Sequence, residues 1–514
     1  MAGELQCDVL VAGGGINGAA IARDAAGRGL SVILCEQDDL AAHTSSASTK
    51  LIHGGLRYLE HGEVGLVRKA LQERQVLLRA APHLVRPLRL VLVHDDSMRP
   101  AWVLQSGLWL YDLLAGRSDL PASRRIDLAG HPAGEALRPA FRTGFEFSDA
   151  WTDDARLVAT VAIDAAERGA RIFTRMRLTR AQRDGPTWIA QAARPDGGQL
   201  LVRARALVNA TGPWAGRFLQ HVCGAGSARR LRLIKGSHVV VRRRLGHPFA
   251  YMLQSADRRI AFAIPFEDDF MLIGTTDVEV HEEPDTARID GAEIDYLCDL
   301  ANHYLKQPIG RGDIAWTFSG VRPLLDDGAG PSELTRDYAL ELAAHDAPLL
   351  TVWGGKITTF RTLAEEAIDR LGTSLGGTRG GWTRDARLPG GDLPSEAPGA
   401  KQGQSALEAF VAALSEQYGW MPPQVIIRMA RAYGSRVHAV LGSACRLQDL
   451  GEPIAAGLFE AELEYLIARE WAGSADDVLW RRSKLGLHLS LEERQRVTAW
   501  FERRLGPPLT QRQS

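Results

Sequence analysis

The chain has 514 residues, 45% hydrophobic and 24% charged, with Lys+Arg 61 against Asp+Glu 62. That length exceeds one ordinary domain, and the charge balance gives no global pull toward nucleic acid. Five scattered cysteines (Cys7, Cys35, Cys223, Cys298 and Cys445) form no Cys-x-x-Cys pair, which argues against a disulfide framework and a zinc site. No metal is expected.

The segment Cys7 to Ala12 (CDVLVA) reads as a buried strand. GGGINGAAIARDAAGRG then gives a glycine turn and an Ala-rich helix, and SVILCE gives a second strand ending in Glu36. Cys7 and Cys35 fall in these strands as small core residues. Gly13, Gly15 and Gly18 fit G-x-G-x-x-G. The first glycine allows a tight turn, the second admits a pyrophosphate, and the third lets helix and strand pack closely. The helix N-terminus offers free N–H groups to phosphate, and Glu36 is placed for a ribose hydroxyl. The turn does not by itself separate NAD from FAD.

The next stretch, STKLIHGGLRYLE (Ser48 to Glu60), places a His, two glycines, an Arg and a Tyr together. A helix is predicted over Val64 to Ala81, then an irregular region to about Phe147. A helix and strand return at Asp153 to Arg180, followed by the strand and turn RALVNATG. Short β-like runs (SHVVVRR, IAFAIPFEDDFMLIGTTD, YALELAA) predict a mainly antiparallel sheet between Leu231 and Leu342. LLTVWGG and a helix from Thr358 to Leu371 resume the first domain. Arg384 to Gln404 reads as a linker, and the chain beyond it as all helical. Three glycine turns (at Gly13, at Ala-Thr-Gly, and at Trp353 to Arg361) open toward one site and favour FAD over NAD.

The segments TSSASTKLIHGGLRYLEHGEVGLVRKAL, KGSHVVV, IPFEDDFMLIGTTD, SGVRPLLDD, TRDYALEL, WGGKITTFRTLAE and EAELEYLIAREWAGSADDVLWRRSKLGLHLS occur in this order. Together they resemble the FAD-dependent glycerol-3-phosphate dehydrogenases over almost the whole chain. The resemblance implies an α/β fold: a glutathione-reductase-type, Rossmann-like FAD domain, an antiparallel-sheet substrate domain and an all-helical C-terminal domain. The expected bounds are 1–82, 148–228 and 349–384 for the FAD domain, and 83–147 and 229–348 for the substrate domain. The linker is expected at 385–404 and the helical domain at 405–514. The implied reaction is oxidation of sn-glycerol 3-phosphate to dihydroxyacetone phosphate, with electrons passed from FAD to membrane quinone.

Under that reading, FAD is expected at Gly13, Gly15, Ile16, Asn17, Gly18, Glu36 and Gln37. Thr44, Ser45, Ser48, Thr49 and Lys50 would hydrogen-bond pyrophosphate and flavin, beside Leu51 and His53. Gly54 and Gly55 would let backbone pass a flat ring. Leu178, Ala210, Thr211, Gly212, Trp214, Gly354, Gly355, Lys356, Ile357 and Thr358 complete the set. Arg57, Arg322, Arg336 and Lys356 are the candidate phosphate clamp, since guanidinium forks suit phosphate oxygens. His238 is the candidate general base, with a structural role equally open and His53 its rival. Tyr58, Thr276 and Asp277 would orient substrate.

MAGELQ lacks a signal peptide's basic start, and no apolar run approaches the roughly 18 residues of a membrane span. The expected location is the cytoplasm or the cytoplasmic face of the inner membrane. The expected lipid contact is Trp102, Leu108, Trp109 and Tyr111 with Arg99 and Arg117; Arg242, Arg243 and Arg244 are the second choice. The sequence leaves the oligomeric state open, with a homodimer one option. Three alternatives stay open: a glycerol-3-phosphate oxidase using oxygen, an amino-acid oxidase-like flavoenzyme, and a flavin-binding regulatory protein without activity.

Overall fold

The computed structural model describes residues 4–95, 98–255, 259–326, 337–394 and 405–506. Two large sheets and a mostly helical C-terminal unit make up the molecule. In the first sheet, strand order runs Ala339–Ala343, Leu349–Trp353, Gln199–Asn209, Glu4–Ala12, Val32–Cys35, Arg171–Phe173. The four strands from Leu349–Trp353 to Val32–Cys35 pair in parallel. Such strands are buried on both faces: Val9, Leu10 and Val11 are fully enclosed. Helices Ile16–Gly27, Asp154–Glu167 and Phe360–Ser374 pack together in the same core. Ala19, Ala22 and Ala25 are fully buried there, which is why the first helix is rich in small residues.

The second sheet is ten-stranded and mainly antiparallel, centred on Leu231–Val241, which pairs with Ile314–Leu325 on one side and Phe270–Gly274 on the other. Helix Gly291–Tyr304 covers one face, opened by a capping box between Asp290 and Glu293. Helix Ala101–Ala115 contributes to the core on the other.

Three segments sit differently from the sequence expectation. YALELAA forms Ala339–Ala343, which pairs with Leu349–Trp353 in the first sheet, so the substrate segment ends before it. Residues Thr143–Thr152 form one unbroken strand of the second sheet, pairing with Val85–Val93 and Leu51–Ile52; a boundary between 147 and 148 would cut it. The described part of the 385–404 linker is packed: Leu388 and Leu393 are buried, and the Leu388 amide donates to Ala80 O at 2.9 Å.

The C-terminal unit is helical, as expected, with one addition, the hairpin Pro453–Ala455 and Leu458–Phe459. Of the residues expected at a lipid surface, Trp102 and Trp109 are 72% and 66% exposed, whereas Leu108 and Tyr111 are core. The helix turns them inward, and the Tyr111 hydroxyl donates to Asp149 at 2.8 Å.

Candidate active site

The strand Glu4–Ala12 ends at Gly13, whose φ of +106° only glycine adopts readily. A Cβ on Gly18 would lie 1.9 Å from Gly13 O, so the helix can follow the turn only if this position is bare. The turn opens a cleft of about 830 Å³. Gly13, Gly15, Ile16, Asn17, Glu36, Gln37, Thr44, Ser45, Ser48, Leu178, Ala210, Thr211, Gly212, Trp214, Gly354, Gly355 and Ile357, all of them named from sequence, line it. Glu36 accepts from the Gly14 amide at 2.6 Å and the Asp38 amide at 2.8 Å. Burial pushes its carboxyl above the usual range, and those amides oppose the shift. Ser45 Oγ accepts from Ile16 N at 3.0 Å, tying the serine-rich loop to the helix start.

A second cavity of about 260 Å³ adjoins the first, and both are lined by Thr44, Ser48, Pro323, Gly355 and Ile357. Thr49, Leu51, His53, Gly55, Arg57, Tyr58, Asp277, Arg322, Lys356 and Thr358 line it. Three cations line it, with the carboxylates of Glu63, Asp149 and Asp277 also in the wall; the guanidinium and ammonium donors among them suit phosphate oxygens. Arg322 donates to Asp277 and, at 2.8 Å, to Thr275 Oγ1. A Cβ on Gly236 would lie 2.4 Å from the Arg322 guanidinium, so the glycine of KGSH makes room for it. Lys356 Nζ lies 4.0 Å over the Tyr58 ring, a cation–π contact that fixes its direction.

His238 does not line either cavity. It is 1% exposed, stacks on Phe318 at 4.7 Å, and its Nε2 lies 3.0 Å from Thr49 Oγ1, which does line the second cavity. Burial, with Arg322 and Lys50 nearby, holds its pKa well below the ordinary imidazole value, so it is neutral at pH 7.

Three further residues depart from expectation. Lys50 is fully buried and spends its ammonium on Asp154 (2.7 Å) and Ser46 O (3.1 Å), away from the cleft. Thr276 is core, donating to Glu293 at 2.7 Å, and its neighbour Thr275 is the threonine at the cavity. A Cβ on Gly54 would meet Leu71 and the Tyr111 hydroxyl at 2.6–2.7 Å, so packing by itself already requires a bare position there. Arg336 lies outside the described residues. Sequence reasoning missed Thr275, Pro323, His43 and Met252 in the cavity walls. Only Thr275, beside Asp277 in Gly-Thr-Thr-Asp, carried a signal.

The residues fit FAD. A helix N-terminus and a bare glycine face the cleft where a pyrophosphate must lie, and an acid stands at the next strand end. The cleft then runs on into the small cationic cavity.

The family model described as "FAD dependent oxidoreductase" matches residues 8–361, and "C-terminal domain of alpha-glycerophosphate oxidase" matches 382–507. A glycerol-3-phosphate dehydrogenase of Pseudomonas aeruginosa is 49% identical over 96% of this chain and 95% of its own length. A D-erythritol 1-phosphate dehydrogenase of Brucella abortus is 47% identical over 98% and 99%. The aerobic glycerol-3-phosphate dehydrogenase of Escherichia coli is 46% identical over 96% and 97%. Among solved structures, the Bacillus halodurans glycerol-3-phosphate dehydrogenase complexed with FAD superposes with a TM-score of 0.76 at 26% identity, covering 97% of this chain and 90% of that one. The two matched models and the near-full-length relatives at almost half identity make this chain a member of the FAD-dependent oxidoreductases, in the family that contains the glycerol-3-phosphate dehydrogenases.

Proposed function

We propose that this enzyme oxidises sn-glycerol 3-phosphate to dihydroxyacetone phosphate. The observation that carries the reading is the small cavity bearing Arg57, Arg322 and Lys356 that adjoins the dinucleotide cleft. The names of its relatives support the same substrate class.

Oxidising a secondary alcohol removes a hydride from carbon and a proton from oxygen. FAD, when bound, would supply the two-electron acceptor for that hydride. Arg57, Arg322 and Lys356 hold the phosphate, and Arg336 is proposed to join them. Asp277 keeps Arg322 in place but also opposes its charge, which tempers the site's attraction for a dianion. Thr49 stands between the cavity and His238, so we assign the hydroxyl proton to His238 by way of the Thr49 hydroxyl. Burial, with the cations Arg322 and Lys50 adding to it, holds His238 neutral in the free enzyme. An arriving dianion offsets those cations and raises the imidazole's basicity when it is needed.

The test is anaerobic addition of glycerol 3-phosphate to the purified yellow protein. Bleaching of the flavin band at micromolar to millimolar substrate is the expected result. A band unchanged by any polyol phosphate would remove the assignment. The Brucella relative favours a second substrate, a four-carbon polyol phosphate. Comparing kcat/KM for glycerol 3-phosphate and erythritol phosphate decides between the two.

The reading extends to a quinone acceptor and peripheral attachment at the cytoplasmic face of the inner membrane. No helix of the described residues is long and apolar enough to cross a membrane. Trp102, Trp109 and Leu113, exposed by 72%, 66% and 62%, lie on one face of helix Ala101–Ala115. Arg99 and Arg117 flank it and are exposed. Aromatic side chains flanked by arginine suit a headgroup layer. The second-choice run is less available, because Arg243 donates to Gln307 O and Pro308 O.

A further inference from the structure

The loop from Gln37 to Ser48 supplies much of one wall of the dinucleotide cleft. Apart from a single turn at Thr44–Ser46 it has no regular structure, so side chains must hold it. The strongest hold comes from the far end of the chain. Arg482 is fully buried and grips Asp39 with both arms of its guanidinium at 2.8 Å. Arg481 adds a third bond to Asp39 at 2.7 Å. The backbone carbonyl of Glu470 accepts from Arg482 at 2.8 Å, fixing the fork. Asp39 is itself only 3% exposed.

A second foothold holds the other end of the loop. Lys484 Nζ donates to Asp153 at 2.6 Å, at the cap of helix Asp154–Glu167. The next residue, Asp154, accepts from Ser48 Oγ at 2.8 Å and Lys50 Nζ at 2.7 Å. A third tie joins Arg175 to Asp477 at 2.5 Å, next to Met176 in the cleft wall.

We propose that the segment Asp477–Lys484 of the C-terminal unit is a brace for the cofactor loop, with Arg482 its principal positioning residue. Burial makes the arrangement all-or-none. A carboxylate enclosed at Asp39 is stable only with its guanidinium partners, and losing one leaves charge that the interior cannot solvate. The loop then shifts to find water, and the cleft wall formed by Gln37, Thr44 and Ser45 shifts with it. The C-terminal unit thus sets how tightly FAD is held, without touching it. This inference rests on FAD occupying the cleft and not on which alcohol is oxidised.

The experiment measures FAD affinity of the full-length apoprotein by flavin fluorescence quenching, alongside thermal unfolding by circular dichroism. Arg482→Met and Asp39→Asn should each weaken FAD binding by about tenfold to a hundredfold. The double variant should be little worse than Asp39→Asn alone, because that change already removes the charge that Arg482 and Arg481 share. Arg428→Met is the control. Arg428 pairs with Glu462 at 2.6 Å inside the C-terminal core, away from the loop. It should lower the melting temperature and leave FAD affinity unchanged. If Arg482→Met fails to fold, Asp39→Asn against Arg428→Met carries the test. Wild-type affinity in Asp39→Asn or Arg482→Met, or equal flavin loss in Arg428→Met, overturns the proposal. Activity on any substrate does not enter the measurement, so a wrong substrate assignment leaves the result readable.

Discussion

Thr49 Oγ1 lies 3.0 Å from His238 Nε2, although 189 residues separate them. The hydroxyl sits in the cavity wall and the imidazole behind it. A hydroxyl can give and take a proton at once, so this pair can carry a proton out of a cavity that the imidazole itself does not reach. Thr49→Val should therefore reduce kcat by about a hundredfold, the lower end of the usual range for a general base, while leaving glycerol 3-phosphate binding nearly intact. His238→Gln should lose a comparable amount and also lose the acid limb of its pH–rate profile. Full activity in Thr49→Val would return the proton to another group, with His53 the first to examine.

Arg322 and Lys356 line the same cavity, one steered by Asp277 and the other by Tyr58. Their task is charge pairing, so they should matter far more for glycerol 3-phosphate than for glycerol. Arg322→Ala or Lys356→Ala should cost about 1.5–3 kcal/mol, roughly ten- to hundredfold in apparent affinity for the phosphate ester. The check is KM for both substrates in each variant; equal losses would mean that these cations support the fold and not the phosphate.

His83 is 1% exposed and packs closely against Gly390 and Gly434 of the C-terminal part of the chain, where a Cβ would lie 3.0 and 2.9 Å from its ring. Burial, with Arg156 close by, takes its pKa down to about 3, and Asp392 opposes only in part. The unfolded chain binds a proton that the folded chain refuses, so stability falls as pH drops from about 6.5 toward 3. The expected loss between pH 7 and pH 5 is about 2 kcal/mol from this residue. Urea denaturation of wild type and His83→Gln at both pH values measures it. The variant should show a shallower pH dependence, whatever its absolute stability. Parallel curves would place the acid sensitivity elsewhere.

Sedimentation with anionic vesicles addresses the membrane. Wild-type protein should pellet at low salt, and Trp102→Ser with Trp109→Ser should leave it in the supernatant, because those two rings are the most exposed apolar side chains of the helix. Leu108 and Tyr111 are unsuited to the same test, since changing either would open the core beside Gly54. A double variant that still pellets would move the contact to another face.

The dinucleotide turn was readable from sequence because its determinants are local. A strand, a glycine free to take positive φ, and a bare position where helix meets turn all lie within Glu4 to Gly18. The same holds for the cations of the small cavity, since Arg57, Arg322 and Lys356 stand in short segments rich in glycine and proline. The flavoprotein family was legible for a related reason, as such segments recur in order along the chain. What the sequence could not decide was where each side chain points. In Gly-Thr-Thr-Asp, Thr275 is at the cavity with Arg322 on its hydroxyl, and Thr276 is in the core with its hydroxyl on Glu293. Lys50 and Ser48 are two residues apart, yet the lysine is claimed by Asp154, 104 residues on, while the serine also reaches the cleft. His238 became a group behind a threonine, and Arg482 a grip on a loop 443 residues earlier. Such roles depend on burial and on partners distant in the chain. A charged or titratable side chain takes its function from whichever opposite charge or cavity the fold brings to it.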